Sequence, residues 1–256
     1  MKSSVTSAVL EGKKGTQEDR HFYKRIGGPK FHGWLLAVMD GHGGSAVSEL
    51  CVKEIGEAFK LSDPADTEDA LKDLVLRLDL KTSDFYEMGT TLSVACILES
   101  HNKVSVAILG DSPVIVLDKK NKLHVSPEHN VRSNPDELEA AKKRGGVVLY
   151  DYLYVRGGDY DYGLQMSRGL GDSALQNVLS REPEIYTIKD PVWVLVASDG
   201  LIDPGHRANS KKLHEQIENY AKRRDDGTNL IQWAETRFPR DNVTAVVWSR
   251  ALRSHR

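Results

Sequence analysis

The chain has 256 residues, of which 39% are apolar and 28% are charged, and its formal net charge is −2. This composition is typical of a globular protein with one large domain or two small ones. A nearly neutral chain without a concentrated basic face is not expected to bind nucleic acid.

The first ten residues lack the apolar core of a signal peptide. The longest apolar runs, such as residues 192–197, are far too short to cross a bilayer. Cys51 and Cys96 are the only cysteines, and both lie in apolar surroundings, so we expect buried free thiols and no disulfide or zinc site. We therefore expect a soluble cytoplasmic monomer with no membrane partner.

Short apolar runs separated by turn residues predict β-strands along the chain. These runs span residues 35–39, 91–98, 104–109, 114–117, 123–125, 192–197 and 243–248. Only a few residues separate the four runs between positions 91 and 125, which favours antiparallel pairing in a meander.

Five segments between these strands predict helices. Residues 45–60 follow a potential cap at Ser45 and carry apolar side chains on one face. Asn134 and Pro135 begin another helix, which ends at Gly145-Gly146. The other three predicted helices span residues 64–80, 210–224 and 228–238.

Closely spaced strands bracketed by helices predict an α+β fold. We expect an αββα sandwich, two stacked antiparallel β-sheets flanked by α-helices, in a single domain over residues 1–256. The segment at about 132–163 differs, because its second half interleaves tyrosines with glycines and aspartates. It fits either an exposed hairpin with aromatic cross-strand pairs or a mobile flap near a site, and the sequence favours neither.

Acidic residues stand at the ends of several predicted strands. Three aspartates follow the last apolar residues of a strand: Asp40, Asp111 and Asp199. Asp241 precedes a strand, and Glu18-Asp19 precedes a short run at 21–23. Because one antiparallel strand ends beside the start of the next, these side chains can meet on one rim of a sheet. A single Asp-Gly pair is more often a plain turn, so the inference depends on the whole set.

Clustered carboxylates raise one another's pKa unless a cation neutralises them. The chain has no Cys/His spacing for zinc, and a set of oxygen ligands suits Mg²⁺ or Mn²⁺. Two such ions about 4 Å apart would activate a water and clamp the oxygens of an in-line phosphoryl displacement. The residues therefore indicate a metal-dependent hydrolase of phosphate esters.

A series of motifs between Lys14 and Trp248 resembles the metal-dependent serine/threonine protein phosphatases of the type 2C, or PPM, family. In chain order the motifs are Glu18-Asp19, Asp40-Gly41-His42-Gly43-Gly44, Gly89-Thr90-Thr91, Gly110-Asp111-Ser112, Ser167-Arg168-Gly169-Leu170-Gly171-Asp172, Ala197-Ser198-Asp199-Gly200-Leu201 and Asp241-Asn242-Val243-Thr244. The second motif is the most specific, and the joint order makes coincidence very improbable. The resemblance implies the same sandwich fold and phosphorylated proteins as substrates.

The resemblance also implies a set of metal ligands. Asp40 would bridge two Mn²⁺ or Mg²⁺ ions. Asp199 and Asp241 would complete one site, and Glu18 and the carbonyl of Gly41 would serve the other.

Two further roles follow from the same resemblance. A third, weaker ion, found in some members, would match Asp111 and Asp203, again with Asp199. His42 would act as the general acid that protonates the leaving seryl or threonyl oxygen. The nucleophile would be a water, so no phosphoenzyme is expected.

The chain departs from the family pattern at several positions. Lys14 stands four residues before Glu18, where the family usually has an arginine that binds the phosphate. Lysine keeps the charge but loses the bidentate geometry, so we expect weaker substrate binding. Pro113 replaces another usual arginine, and residues 126–129 read Ser-Pro-Glu-His where Thr-x-Asp-His is usual. With the unusual segment at 132–163, these departures make substrate choice the least transferable property.

Two other functions remain open. A pseudophosphatase acting as a binding or scaffold module would account for Lys14 and Pro113, although no metal ligand is missing. A phosphatase of small phosphorylated metabolites would use the same metal site.

Overall fold

The computed structural model of the protein describes residues 3–158, 160–203 and 210–251. The strands in these ranges are β1 (Ser3–Leu10), β2 (Arg20–Gly28), β3 (Phe31–Met39), β4 (Gly41–His42), β5 (Gly89–Thr90), β6 (Leu92–Leu98), β7 (Lys103–Leu109), β8 (Val114–Asp118), β9 (Leu123–Val125), β10 (Gly146–Leu149), β11 (Tyr152–Val155), β12 (Leu170–Gly171), β13 (Glu184–Lys189), β14 (Pro191–Ala197) and β15 (Val243–Arg250). The helices are α1 (Ala46–Ala58), α2 (Thr67–Thr82), α3 (Pro135–Lys143), α4 (Ser210–Arg223) and α5 (Gly227–Glu235).

Two five-stranded antiparallel sheets form the centre of the fold. Sheet A has the strand order β1-β15-β14-β8-β9, and sheet B has the order β13-β7-β6-β3-β2. One apolar cluster joins their inner faces, a second packs sheet B against α1 and α2, and a third packs sheet A against α4 and α5. The predicted α+β sandwich is therefore confirmed.

Strand β3 shows why the central strands are continuous apolar runs. Leu36 and Val38 pack in the cluster between the sheets, whereas Leu35 and Met39 pack against the helices. Successive side chains of a strand point to opposite faces, and both faces are covered over residues 35–39, so these positions favour apolar residues.

The prediction of one meander over residues 91–125 is wrong at its centre. Strand β7 ends in sheet B, and β8 begins five residues later in sheet A. Between them Gly110 has a φ of 119°, and a Cβ there would lie 2.6 Å from the Thr91 side chain. Pro113, which lacks an N–H, directly precedes β8. The crossing places Asp111 between the ends of the two sheets.

The predicted helices form, with shifted bounds. Asn134 caps α3 by accepting hydrogen bonds from the amides of Asp136 and Glu137. Ser45 precedes α1, but its hydroxyl donates to the Glu49 side chain and caps no amide. The second predicted helix begins at Thr67 because Pro64–Asp66 forms a 3₁₀ turn. No described helix has the length and apolar character that spanning a membrane would require.

The segment predicted as a hairpin or flap contains α3 and the two-stranded sheet β10-β11. Tyr150 and Asp151 form its turn with positive φ angles, and the Tyr150 side chain is 96% exposed. Tyr154 and Tyr160 make an edge-to-face contact with ring centres 5.5 Å apart. The segment therefore forms a hairpin, but its strand pairing lacks the expected aromatic cross-strand pairs, and Tyr152 on the same hairpin lines the candidate site described next.

Candidate active site

Four of the acidic residues predicted to meet lie around one cavity at one end of the sandwich, whereas Glu18 and Asp19 are not among its lining residues. It measures about 200 Å³ and is lined by Lys14, Asp40, Gly41, His42, Asp111, Tyr152, Gln165, Met166, Asp199 and Asp241. Asp40 follows β3 of sheet B, whereas Asp199 and Asp241 flank β14 and β15 of sheet A. The carboxylates therefore come from both sheets, and not from one rim as the sequence suggested.

Hydrogen bonds from its backbone to Thr90 and Thr91 hold Asp40 in place. Its N–H donates to Thr91 Oγ1 at 3.0 Å, and its carbonyl accepts from the Thr91 amide and from Thr90 Oγ1, both at 3.0 Å. Burial raises the pKa of Asp40 well above its usual range, and the negative charges of the surrounding aspartates raise it further. A carboxylate in this position calls for a neighbouring cation.

Asp19 is a buried member of the acidic cluster. The sequence motif contained both Glu18 and Asp19 and did not show that Asp19 has a role of its own. Its side chain is almost fully buried, and neither carboxylate oxygen has a well-oriented hydrogen-bond partner among the described residues. Burial raises the pKa of Asp19, against the opposing effect of the nearby Ser198 and Thr244 hydroxyls. Buried charge without a partner is costly, so this carboxylate fits a site completed by a cation or its water ligands.

The loop before β2 is fixed against the other end of the chain by Asn242. The Asn242 side chain accepts from the Glu18 amide and donates to the carbonyls of Glu11 and Thr16, each at 2.8 Å. Gly41 packs so closely on this loop that a Cβ would lie 2.6 Å from the Glu18 carbonyl oxygen. The Gly41 position therefore excludes any side chain.

Lys14 bridges two of the expected metal ligands. Its Nζ lies 2.9 Å from Glu18 Oε2 and 2.9 Å from Asp241 Oδ1. Burial acts to lower the pKa of Lys14, but hydrogen bonds to these two carboxylates raise it overall. The ammonium therefore stays charged and neutralises part of the cluster.

The oxygen atoms around the cavity are suitable ligands for hard divalent cations, although they lie too far apart to coordinate one ion as they stand. Within residues 3–158, 160–203 and 210–251, no three His, Cys, Asp or Glu side chains converge tightly enough to hold an ion. Like charges repel, which keeps carboxylates apart, and Lys14 forms ion pairs with two of them, Glu18 and Asp241. The set consists of carboxylates and a backbone carbonyl, which is the chemistry that Mg²⁺ and Mn²⁺ prefer.

The residues proposed for a third ion line an adjoining cavity. Asp111, Asp199 and Asp203 lie there together. Asp111 accepts from Asn130 Nδ2 at 2.8 Å, and Asp203 pairs with Arg132 at 2.7 Å. Both carboxylates already have protein partners, so an ion here would have to compete with them.

His42 forms a dyad with a buried carboxylate. Its Nε2 lies 2.9 Å from both carboxylate oxygens of Asp172, whose side chain is fully buried. Tyr162 donates its hydroxyl to Asp172 Oδ1 at 2.5 Å. The small sheet β12-β5-β4 sets this geometry by placing Gly89 between His42 and Gly171. A Cβ at Gly89 would lie 2.0 Å from Asp172 Oδ2, so the contact requires glycine there.

The sequence motifs contained some of these residues without revealing their roles. Asp172 ends a recognised motif, and Tyr162 lies in the unusual tyrosine-rich segment. Their contact depends on pairing between segments far apart in the chain, which no local pattern reports.

Comparison with known proteins identifies the family to which this chain belongs. A family model described as protein phosphatase 2C matches residues 4–226. "Probable protein phosphatase 2C 71" of Arabidopsis thaliana is 29% identical over 96% of this chain and 55% of its own length. "Probable protein phosphatase 2C 59" of the same plant is 30% identical over 96% of this chain and 79% of its own length.

Solved structures agree on the fold. A crystal structure of a serine-threonine phosphatase 2C from Toxoplasma gondii covers 96% of this chain and 94% of its own, with a TM-score of 0.71 and 21% identity. Since the family model spans most of the sequence, the chain belongs to the protein phosphatase 2C family. The resemblance inferred from the motifs is confirmed.

Proposed function

We propose that the protein is a metal-dependent phosphatase that removes phosphate from phosphoserine and phosphothreonine side chains of proteins. The observation that carries this proposal is the convergence of Lys14, Asp40, His42, Asp199 and Asp241 on one cavity. These residues come from four separate segments of the chain.

The carboxylates around Asp40 supply ligands for two Mn²⁺ or Mg²⁺ ions. Asp199 and Asp241 would join Asp40 at one ion, and Glu18 and the carbonyl of Gly41 would join it at the other. Two such ions, when bound, lower the pKa of a water and neutralise the charge of the phosphate.

The chain's own cationic groups act on the substrate. Lys14 binds a phosphate oxygen as a point charge, without the paired hydrogen bonds of an arginine. His42 gives a proton from its imidazole to the leaving oxygen, and Asp172 stabilises the imidazolium on the opposite side. His42 Nδ1 is buried and has no hydrogen-bond partner among the described residues, so this nitrogen would have to become accessible to the substrate before it could serve as the donor.

The test is turnover of p-nitrophenyl phosphate and of phosphoserine and phosphothreonine peptides with excess Mn²⁺. We expect activity from the wild-type protein and none above background from Asp40→Asn. The variant must keep its melting temperature in EDTA, which separates lost chemistry from lost folding. If the wild-type rate equals that of the folded variant, the proposal fails, and a preference for free phosphoserine over peptides would assign small metabolites as substrates.

One observation favours a second candidate, a pseudophosphatase that serves as a binding module. Lys14 already neutralises Glu18 and Asp241, as a resident cation would. Calorimetry with Mn²⁺ distinguishes the two functions. A phosphatase binds Mn²⁺ with loss of binding in Asp199→Asn, whereas a pseudophosphatase locked by Lys14 binds none.

A further inference from the structure

A second cavity lies away from the acidic cluster, between sheet B and the C-terminal end of α1. Its volume is about 540 Å³, within the range of ligand pockets. The lining residues are Phe22, Lys24, Arg25, Ile26, Gly27, Phe31, Leu35, Gly56, Phe59, Lys60, Leu61 and Ser62. None of them belongs to the candidate active site.

The cavity has an apolar floor and a basic rim. Phe31, Leu35 and Phe59 are buried side chains at its base. Lys24 and Lys60 are exposed, and the lining contains no acidic residue; Arg25 borders the space through its backbone, because its guanidinium lies 4.9 Å from the Trp34 ring on the other face of sheet B. The only ion pair at the rim is a 3.7 Å contact between Lys60 and the exposed Glu57, as far as the described residues show. The charge therefore favours an occupant with acidic groups beside an apolar one.

The cavity also borders an unpaired strand edge. Strand β2 is the last strand of sheet B and pairs only with β3 among the described residues. Four consecutive β2 residues, 24–27, line the cavity. Because side chains alternate across a strand, such a run means that the backbone itself borders the space. An edge strand presents N–H and C=O groups to which an extended peptide can bind.

We propose that this edge and cavity form a docking site for an extended acidic segment of a substrate protein. The segment would pair with β2, insert one large apolar side chain into the cavity, and place carboxylates near Lys24 and Lys60. This inference rests on the proposed phosphatase function, because it assigns the site a role in substrate recruitment.

The position of β2 sets the distance along a bound peptide between the docking residue and the phosphorylated residue. Arg20 at the start of β2 pairs opposite Met39, the residue before Asp40, so β2 runs from the acidic cluster to the cavity. Ile26 lies eight positions after Glu18, which corresponds to about 26 Å of extended chain. The apolar docking residue should therefore lie roughly eight residues from the phosphorylated one.

The probes are two synthetic phosphoserine peptides, with phenylalanine flanked by glutamates eight residues before or eight residues after the phosphoserine. The bound peptide can run parallel or antiparallel to β2, so we expect only one of the two peptides to gain from the motif. That peptide should have a KM about tenfold below that of a matched peptide with alanines in place of the motif. N-methylation of alternate backbone amides in the motif should remove this gain. Equal KM values for both peptides and their alanine controls would overturn the proposal.

Variants of the cavity provide the second arm. Lys24→Glu and Lys60→Glu reverse the rim charge, and Gly56→Leu fills the cavity, since a Cβ at Gly56 meets only the Phe22 ring at 3.4 Å. Each should abolish the KM gain and leave p-nitrophenyl phosphate turnover unchanged. Lys120→Glu, an exposed residue of the β8–β9 turn, is the matched control and should keep the gain. Retention of the gain in Gly56→Leu would contradict the proposal.

Fluorescence anisotropy separates this inference from the proposed function. If the wild-type protein hydrolyses nothing but binds the labelled peptide, and Gly56→Leu does not, the docking site stands and the phosphatase assignment fails. If the peptides do not bind and decanoate does, the cavity holds a lipid and the docking proposal is wrong.

Discussion

The buried contact between Asp172 and His42 bears directly on how the imidazole can act. A carboxylate on Nε2 fixes the orientation of the imidazole ring. Tyr162 orients the carboxylate in turn, and burial beside Asp172 raises the pKa of the Tyr162 hydroxyl, so the hydroxyl remains a donor. Asp172 is thus a positioning residue that acts through His42.

We expect Asp172→Asn to lower kcat for phosphoserine peptides by about tenfold to a hundredfold, which is less than the full contribution of a general acid of about 10²–10⁴-fold because Asp172 acts only through His42. The loss should be much smaller for p-nitrophenyl phosphate, because its leaving group needs little protonation. Steady-state kinetics on both substrates tests this, with Mn²⁺ affinity measured as a control. An equal loss on both substrates would indicate a purely structural role.

Lys14 gives a second prediction at this scale, because its two ion pairs oppose metal binding. We expect Lys14→Met to bind Mn²⁺ a few-fold more tightly, since each such pair is worth about 0.2–1 kcal/mol. The same variant should raise KM, whereas Lys14→Arg should lower it by restoring a bidentate phosphate contact. Calorimetry and peptide kinetics measure the two effects. An unchanged or raised KM in Lys14→Arg would remove the argument for a phosphate-binding role.

Among the elements, α3 is attached to the loop before β12 by one buried carboxylate. Glu137 is 5% exposed and accepts hydrogen bonds from Ser167 and from two guanidinium nitrogens of Arg168. Burial acts to raise the pKa of Glu137, but these donors lower it overall. A carboxylate with a lowered pKa in the folded state contributes stability above its unfolded pKa and loses that contribution as pH falls.

Glu137→Gln should therefore lower the free energy of unfolding by about 3 kcal/mol at pH 7, the cost of breaking a buried ion pair. The difference from wild type should shrink as pH falls below about 4.3, where the unfolded carboxyl protonates. Urea unfolding at pH 7 and pH 4 measures both values. Glu139→Gln, an exposed change on the same helix, is the control and should have little effect. A difference that grows on acidification would contradict the assigned sign.

The elements also show what local sequence can predict. Aspartates at strand ends mark turns, and the apolar runs beside them mark buried strands, so most of the acidic cluster was accessible from the sequence. The crossing of the chain from sheet B to sheet A after Gly110 could not be predicted from the sequence, because local turn signals do not indicate which sheet the next strand joins. Edge strands β1 and β13 were missed because they are only partly buried and carry polar residues. The contact of His42 with Asp172 depends on pairing across 130 positions.

At the scale of the whole molecule, the two cysteines report on global unfolding. Cys51 in α1 and Cys96 in β6 both lie in the cluster between sheet B and the helices, and burial raises the pKa of each thiol to about 12. We expect neither to react with Ellman's reagent at pH 8 in the folded protein. Both should react in urea, within the transition seen by circular dichroism. A thiol that reacts under native conditions would show that this layer opens locally.

The pairing of β1 with β15 bears on the order in which the sheets can form during synthesis. Ser3 lies opposite Arg250, so β1 finds its neighbour in sheet A only after residues 243–250 have been synthesised. All strands of sheet B lie between residues 20 and 189, and this layer can assemble with α1 and α2 while the rest of the chain is still being made. Long-range pairing is slow, and unpaired strand edges are prone to aggregation. Nascent chains stalled before residue 243 should therefore depend on chaperones more than the released protein does.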